Sequence, residues 1–153
     1  MARKQKKNII IPEFYKIEIE DWEADYHFGL APKNIIEGVY WEGSNLIIIG
    51  NLTSPILDTV SKTKVELHGD PKLDDHWQQN PTIISAKAIG WIEITRQDNM
   101  LIFHCSVTYR SLPYLACAVH AKKIKYVSIS GTKLKYRQGT ISHISLSSQI
   151  EDE

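Results

Sequence analysis

Apolar and polar residues alternate along much of the chain. In residues 15–20, Tyr15, Ile17 and Ile19 alternate with charged side chains. A period of two puts the apolar side chains on one face of a β-strand and the charged ones on the other, so this segment predicts a strand with one buried face. Further strand candidates are residues 63–67, 124–130 and 140–148.

A first hairpin is predicted between residues 39–41 and 46–52. The segment that joins them is Glu42-Gly43-Ser44-Asn45. A glycine in the first position of a two-residue loop suits a type II′ turn, because this turn requires a positive φ there. We therefore expect the chain to reverse direction at Gly43.

A second and stronger hairpin is predicted between residues 86–95 and 100–109, with 96–99 as the turn. One face of its second arm carries four apolar residues, Leu101, Phe103, Cys105 and Val107. Because Cys105 shares that face, its position favours a small packed side chain over a reactive nucleophile.

One segment follows a helical period instead. Its apolar residues fall at i, i+3, i+4 and i+7, namely Leu112, Leu115, Ala116 and Val119. Ser111 is placed as an N-cap, and Pro113 falls in the first turn, where a missing N–H costs little. The pattern predicts one short helix over about residues 111–122, with Cys117 packed within it.

The elements together predict a mainly β fold of about seven or eight strands with one short helix. Many short strands joined by hairpins are typical of a β-sandwich or a partly open barrel. We expect one domain over residues 9–150. Residues 1–8 are basic and poor in large apolar side chains, and residues 151–153 are acidic, so both are expected to be mobile tails.

Two cysteines in 153 residues cannot form a disulfide framework, and no apolar segment approaches the ~20 residues that span a bilayer. Ile9, Ile10 and Ile11 are followed at once by Pro12 and Glu13, which interrupts any signal-peptide core. The sequence therefore predicts a soluble cytoplasmic protein with no membrane partner.

The net charge is zero but unevenly distributed. Residues 13–75 carry 13 acidic and 5 basic side chains, a net charge of −8, whereas residues 86–140 carry 9 basic and 2 acidic ones, a net charge of +7. The first twelve residues add +4. This polarity is explained either by two complementary parts of one fold or by surfaces that attract charged partners.

A turn-rich stretch between residues 68 and 77 holds two imidazoles and three carboxylates, which are ligands for hard or borderline cations. The residues are His68, Asp70, Asp74, Asp75 and His76. Their spacing matches neither a helical zinc motif nor a calcium loop, so we expect that they do not converge on one metal. Asp70 before Pro71 is typical of a solvated turn.

The patterns that accompany enzyme catalysis are missing from the sequence. It has no Gly-x-Ser-x-Gly elbow, no Walker loop and no dinucleotide-binding glycine pattern. His104 and His143 fall singly in predicted strands. The sequence favours a protein that is not an enzyme and needs no cofactor.

A basic cluster lies in the C-terminal half. Its members are Lys122, Lys123, Lys125, Lys133, Lys135, Tyr136 and Arg137. If residues 131–139 are extended, Lys133, Lys135 and Arg137 point to one side of the strand and Tyr136 to the other. Cations beside a ring that can stack are used to bind single-stranded nucleic acid, although surface lysines also serve to discourage strand pairing.

Three functions follow, in order of preference. The first is a non-catalytic protein-interaction or assembly module on a rigid β scaffold, which binds a partner protein or itself through charged surfaces and exposed aromatic residues. The alternative is nucleic-acid binding through the basic cluster. The third is a metal-dependent hydrolase at the His68–His76 loop.

Overall fold

The computed structural model describes residues 12–30, 40–74 and 89–149. The strands are β1 Pro12–Leu30, β2 Tyr40–Ser54, β3 Lys62–Asp70, β4 Gly90–Ile94, β5 Met100–Thr108, β6 Tyr126–Thr132 and β7 Gln138–Ser147. The helix α1 spans Ser111–His120, and residues 71–74 are helical.

The seven strands form a closed barrel in the order β1-β2-β3-β5-β4-β7-β6. All neighbouring pairs are antiparallel except β3 and β5, which are parallel. The barrel closes because β6 pairs with β1, from Pro12 opposite Thr132 to Glu18 opposite Tyr126. The prediction of a mainly β, barrel-like fold with one short helix is confirmed.

Side chains from alternate strand positions fill the interior of the barrel. Tyr15 and Ile17 point inward from β1 as predicted, and Tyr15 meets the ring of Phe103 edge to face at 5.1 Å between centroids. Leu101, Phe103 and Cys105 share the inner face of β5. Other buried members are Leu46, Ile48, Val65, Leu67, Ile92, Val127, Ile129 and Ile141.

The predicted hairpin at Gly43 is wrong. β2 runs without reversal from Tyr40 to Ser54, and Gly43 lies opposite His27 of β1. Long-range pairing with β1 holds this segment extended and so overrides the turn preference of the local sequence. The second predicted hairpin is confirmed for residues 89–109, while residues 86–88 lie outside the described part of the chain.

The helix closes one end of the barrel with Leu112 and Val119, both buried. The prediction that Cys117 is packed is wrong, because its side chain lies on the exposed face of the helix. Ser111 is not the N-cap: the cap position is Arg110, in αR conformation, and no side chain caps the helix there. At the C-terminus, Lys122 has a φ of 56° and its N–H donates to the Val119 carbonyl, while the Lys123 N–H donates to that of Ala118. This is the Schellman arrangement, with a lysine where glycine is usual.

β1 and β2 are much longer than their neighbours. The β1–β6 pairing ends at Glu18, but β1 and β2 remain paired from Asp21 opposite Ile49 to Leu30 opposite Tyr40. We call residues 20–30 with residues 40–49 the ribbon. A register shift between Ile19 and Asp21 marks its start, as expected of a bulge that changes the direction of a strand.

Candidate functional site

The ribbon exposes both of its faces along β1. Every side chain in residues 23–28 is exposed, although a strand that covers a core has one buried face. Tyr26 and Phe28 are 59% and 64% exposed. Exposed aromatic rings are enriched where proteins bind one another, so the ribbon is the first candidate site.

Carboxylates concentrate on β1 of the ribbon, at Glu20, Asp21, Glu23 and Asp25. Glu20 accepts a hydrogen bond from the Asn51 amide at 2.6 Å, and Asp21 accepts one from the Trp22 backbone N–H at 2.9 Å. Among the described residues, no lysine or arginine forms an ion pair with any of the four. Asp25 Oδ1 lies 3.4 Å from His27 Nε2. The strand therefore presents a row of carboxylates with no direct lysine or arginine partner in the described part of the chain.

Glu42, on β2, links the ribbon to the barrel. Its Oε1 accepts hydrogen bonds from the hydroxyls of Tyr26 at 2.8 Å and Tyr109 at 2.6 Å. These two bonds lower the pKa of Glu42, and the Glu42 carboxylate raises the pKa of Tyr109 to about 12. It also raises the pKa of Tyr26. Because Tyr109 follows β5, the contact connects the exposed strands to the end of the barrel where α1 begins.

A shallow groove of about 360 Å³ lies on the outer wall, across β2, β3, β5 and β4. Asn45 and His68 form one side of it. The Asn45 amide N donates to Asp25 Oδ1 at 2.8 Å, so its oxygen faces His68 Nδ1 at 2.6 Å. A carboxylate only accepts, so the amide nitrogen of Asn45 faces Asp25 and the amide oxygen of Asn45 accepts the hydrogen bond that His68 donates through Nδ1.

His104 forms the other side of the groove and lies between two carboxylates. Its Nδ1 is 2.9 Å from Glu66 and its Nε2 is 2.9 Å from Glu93. Lys64 lies 2.7 Å from the second oxygen of Glu66, and Trp91 stacks on the imidazole at 4.5 Å. A neutral imidazole can donate to one of these carboxylates, whereas the imidazolium donates to both. The contacts of His104 with Glu66 and Glu93 therefore link β5 to both of its neighbours, β3 and β4, on the outer surface of the barrel.

The metal candidates that the structure describes have separate partners. Asp70 accepts the backbone N–H of Lys72 at 2.9 Å, and Asp74 accepts that of Tyr109 at 2.9 Å. His68 donates a hydrogen bond to the Asn45 amide oxygen. Within residues 12–30, 40–74 and 89–149 no group of three or more potential ligands could hold a metal ion, and Asp75 and His76 lie outside these ranges.

The basic cluster divides between two ends of β6. Lys122, Lys123 and Lys125 precede Tyr126, and the other members follow Thr132. Seven residues of strand separate the two groups, which is about 23 Å at ~3.3 Å per residue. Lys122 and Lys125 also line one cleft with Glu18, Glu20 and Asp21 of β1, so part of the positive charge faces negative charge on the same molecule.

Residues 131–139 are not the extended strip that the sequence predicts. Tyr136 and Arg137 have positive φ angles of 52° and 69°, and Lys135 and Gln138 exchange two backbone hydrogen bonds. This is a two-residue hairpin of type I′. Arg137 turns back, and its Nε donates to the Ile94 carbonyl at 3.0 Å. Lys135, Tyr136 and Lys133 remain exposed there, with Lys135 Nζ 5.6 Å from the Tyr136 ring centre.

Sequence reasoning missed the ribbon and the His104 contacts. The four carboxylates among residues 20–25, with no basic residue between them, were a usable signal for an acidic surface. Glu66 and Glu93 gave no such signal, because they reach His104 through pairings between distant segments: Glu66 lies opposite His104 in the parallel β3–β5 pair.

No protein-family model matches the chain, and neither a curated protein nor a solved structure does. No helix in the described part of the chain is long and apolar enough to cross a membrane.

Proposed function

We propose that the protein is a non-catalytic interaction module that uses the ribbon to bind a partner protein or a second copy of itself. The observation that carries the proposal is the exposure of both faces of β1 in residues 23–28. Large exposed aromatic side chains on a rigid strand pair contribute contact area at low entropic cost.

The arrangement of the barrel supports this use of the ribbon. The inward positions of the strands are filled by core side chains, so the surface offered to partners is the outer wall and its extensions. Glu42 anchors the ribbon through Tyr109. A strand pair that is held in place loses less conformational entropy when it binds.

The charge of the ribbon determines which partners are favoured. Its carboxylates attract a basic surface, which raises the association rate and makes it sensitive to salt. Nucleic acid is repelled by this surface. The nucleic-acid alternative is supported instead by Tyr136, which is 90% exposed beside Lys135 at the far end of β6.

A photo-crosslinking experiment tests the proposal. Benzoylphenylalanine is placed at position 26 in the ribbon or, as a control, at position 136, where the native tyrosine is also exposed. We expect protein adducts from position 26 and few from position 136. The adducts should fall at least about fivefold when Glu23 and Asp25 are replaced by lysine, because charge complementarity is lost. Equal yields from the two positions, or none from position 26, contradict the proposal.

A further inference from the structure

In the part of the chain that the structure describes, no strand pairs with residues 23–28 on the edge of β1 that faces away from β2. The Ile19 N–H still donates to the Lys125 carbonyl at 2.9 Å, next to the last β1–β6 pair. Beyond this point, β2 is the one strand that pairs with β1 among the described residues. An open edge is a template for a further strand from another chain.

The charge of this edge disfavours pairing with the same edge of a second copy. Antiparallel pairing of two β1 edges brings residues 20–25 of each copy together. Four carboxylates from each chain would then lie close to four others. Like charges opposite one another destabilise a strand pair, so the favoured added strand is basic.

The chain contains such a segment. Residues 1–8 carry Arg3, Lys4, Lys6 and Lys7 and no acidic residue. Residues 9–11 are three isoleucines, and β-branched side chains favour the extended conformation. Residues 1–8 thus supply the charge that the open edge of β1 favours, and residues 9–11 favour an extended connection between that basic segment and β1.

The length of the chain decides which copy supplies the segment. Glu23 lies 11 residues beyond Pro12, the first residue of β1. That distance is about 36 Å along a strand, and the 11 residues before Pro12 span about 37 Å when fully extended. They would be used up in reaching Glu23, so they cannot lie beside residues 23–28 of their own copy.

We propose that residues 2–8 of one copy add as a strand to the open edge of β1 in a second copy, where the lysines and Arg3 face Glu23 and Asp25. This inference rests on the proposed function and names the partner. Each copy then offers one donor segment and one acceptor edge, so the contact is head to tail and forms a ring or an open chain of copies.

A charge-swap experiment with full-length chains tests the inference. One variant carries Glu23→Lys and Asp25→Lys, so that its edge and its N-terminal segment are both basic. The other carries Arg3→Glu, Lys4→Glu, Lys6→Glu and Lys7→Glu, so that both are acidic. We expect the parent to associate at about 0.1 M salt and less at about 1 M, where the Debye length falls from ~10 to ~3 Å.

In sedimentation velocity, each variant should be monomeric by itself. An equimolar mixture should associate, because the basic segment of one variant meets the acidic edge of the other, and the acidic segment meets the basic edge. Circular dichroism verifies that both variants are folded. A monomeric parent at every salt concentration overturns the inference, and so does a variant that associates as well as the parent. The crosslinking experiment at position 26 separates the two proposals. If protein adducts persist when the variant carries glutamate at positions 3, 4, 6 and 7, the proposed function stands and this inference is wrong.

Discussion

Nε2 of His104 lies 2.9 Å from Oε1 of Glu93, although the two residues are on neighbouring strands of the outer wall. Because His104 also contacts Glu66, the pair is part of a link across three strands. We predict a coupling of about 1 kcal/mol between His104 and Glu93, since both are partly exposed and the interaction is screened.

A double-mutant cycle with His104→Ala and Glu93→Ala, measured by urea denaturation, gives this coupling. As a control, Glu18→Ala should be additive with His104→Ala to within about 0.5 kcal/mol, because Glu18 lies on β1 and pairs with β6. Additivity of the first pair would show that the contact adds no stability.

Lys122 adopts the left-handed conformation in which a side chain is unfavourable. We predict that Lys122→Gly stabilises the protein by about 0.5 kcal/mol, because relief of this strain exceeds the entropy that glycine loses on folding. Lys123→Gly is the matched control and should destabilise, because Lys123 is not among the residues with positive φ. Urea midpoints of both variants test the prediction, and a loss of stability in Lys122→Gly would refute it.

The two cysteines should differ in reactivity. Burial raises the pKa of Cys105 to about 12, so its thiol is protonated and inaccessible in the folded protein, whereas Cys117 is exposed. We expect one adduct with iodoacetamide under native conditions and two in denaturant, counted by intact mass. Modification of Cys105 in the native protein would mean that β5 opens readily.

Glu42 makes the ribbon contact sensitive to high pH. The pKa of Tyr109 is raised to about 12, so the stability it contributes is fully present below the ordinary tyrosine pKa of ~10 and is lost as pH rises through about 12. In Glu42→Gln, ultraviolet titration should show phenolates forming at lower pH than in the parent. Glu23→Gln, which removes a carboxylate with no hydrogen bond among the described residues, should leave the titration unchanged.

The Glu42 carboxylate also makes the stability of the ribbon sensitive to low pH. Its hydrogen bonds to Tyr26 and Tyr109 lower the pKa of Glu42, so the stability it contributes is present above the ordinary value of 4.5 and is lost as pH falls through the lowered one. Proteolysis of the ribbon should therefore increase in acid, and the increase should be absent in Glu42→Gln.

We predict that oligonucleotides bind more weakly than about 10⁻⁴ M at physiological salt, which is the weak limit of non-specific binding. The reason is that the cations lie in two groups and that Arg137 bonds to protein carbonyls. Anisotropy titration with mixed-sequence single strands tests this. Micromolar, salt-sensitive binding that is lost when Lys133, Lys135 and Arg137 become alanine would favour the nucleic-acid alternative.

The periodicity of apolar residues was sufficient to predict burial and helix position where these depend on residues that are close in sequence. Tyr15 and Ile17 are buried on one face as the period of two predicts, and α1 lies within the predicted residues 111–122, although Ser111 is not its N-cap. The turn at Gly43 failed because pairing with β1, and not the local sequence, determines the path of β2. The groove could not be predicted from the sequence either, because its walls come from segments that are distant in sequence and are brought together by the parallel β3–β5 pair.

The closure of the barrel by β1 and β6 has a consequence for how the chain folds. Pro12 lies opposite Thr132, so the seam joins residues 120 positions apart in sequence. A contact of such high sequence separation requires the entropy of a long loop to be lost before any bond of the seam forms. The barrel is therefore expected to fold in milliseconds to seconds, with β1 and β2 pairing early and the seam forming late. During synthesis, residues 12–18 of β1 therefore have no β6 strand to pair with until β6 has left the ribosome.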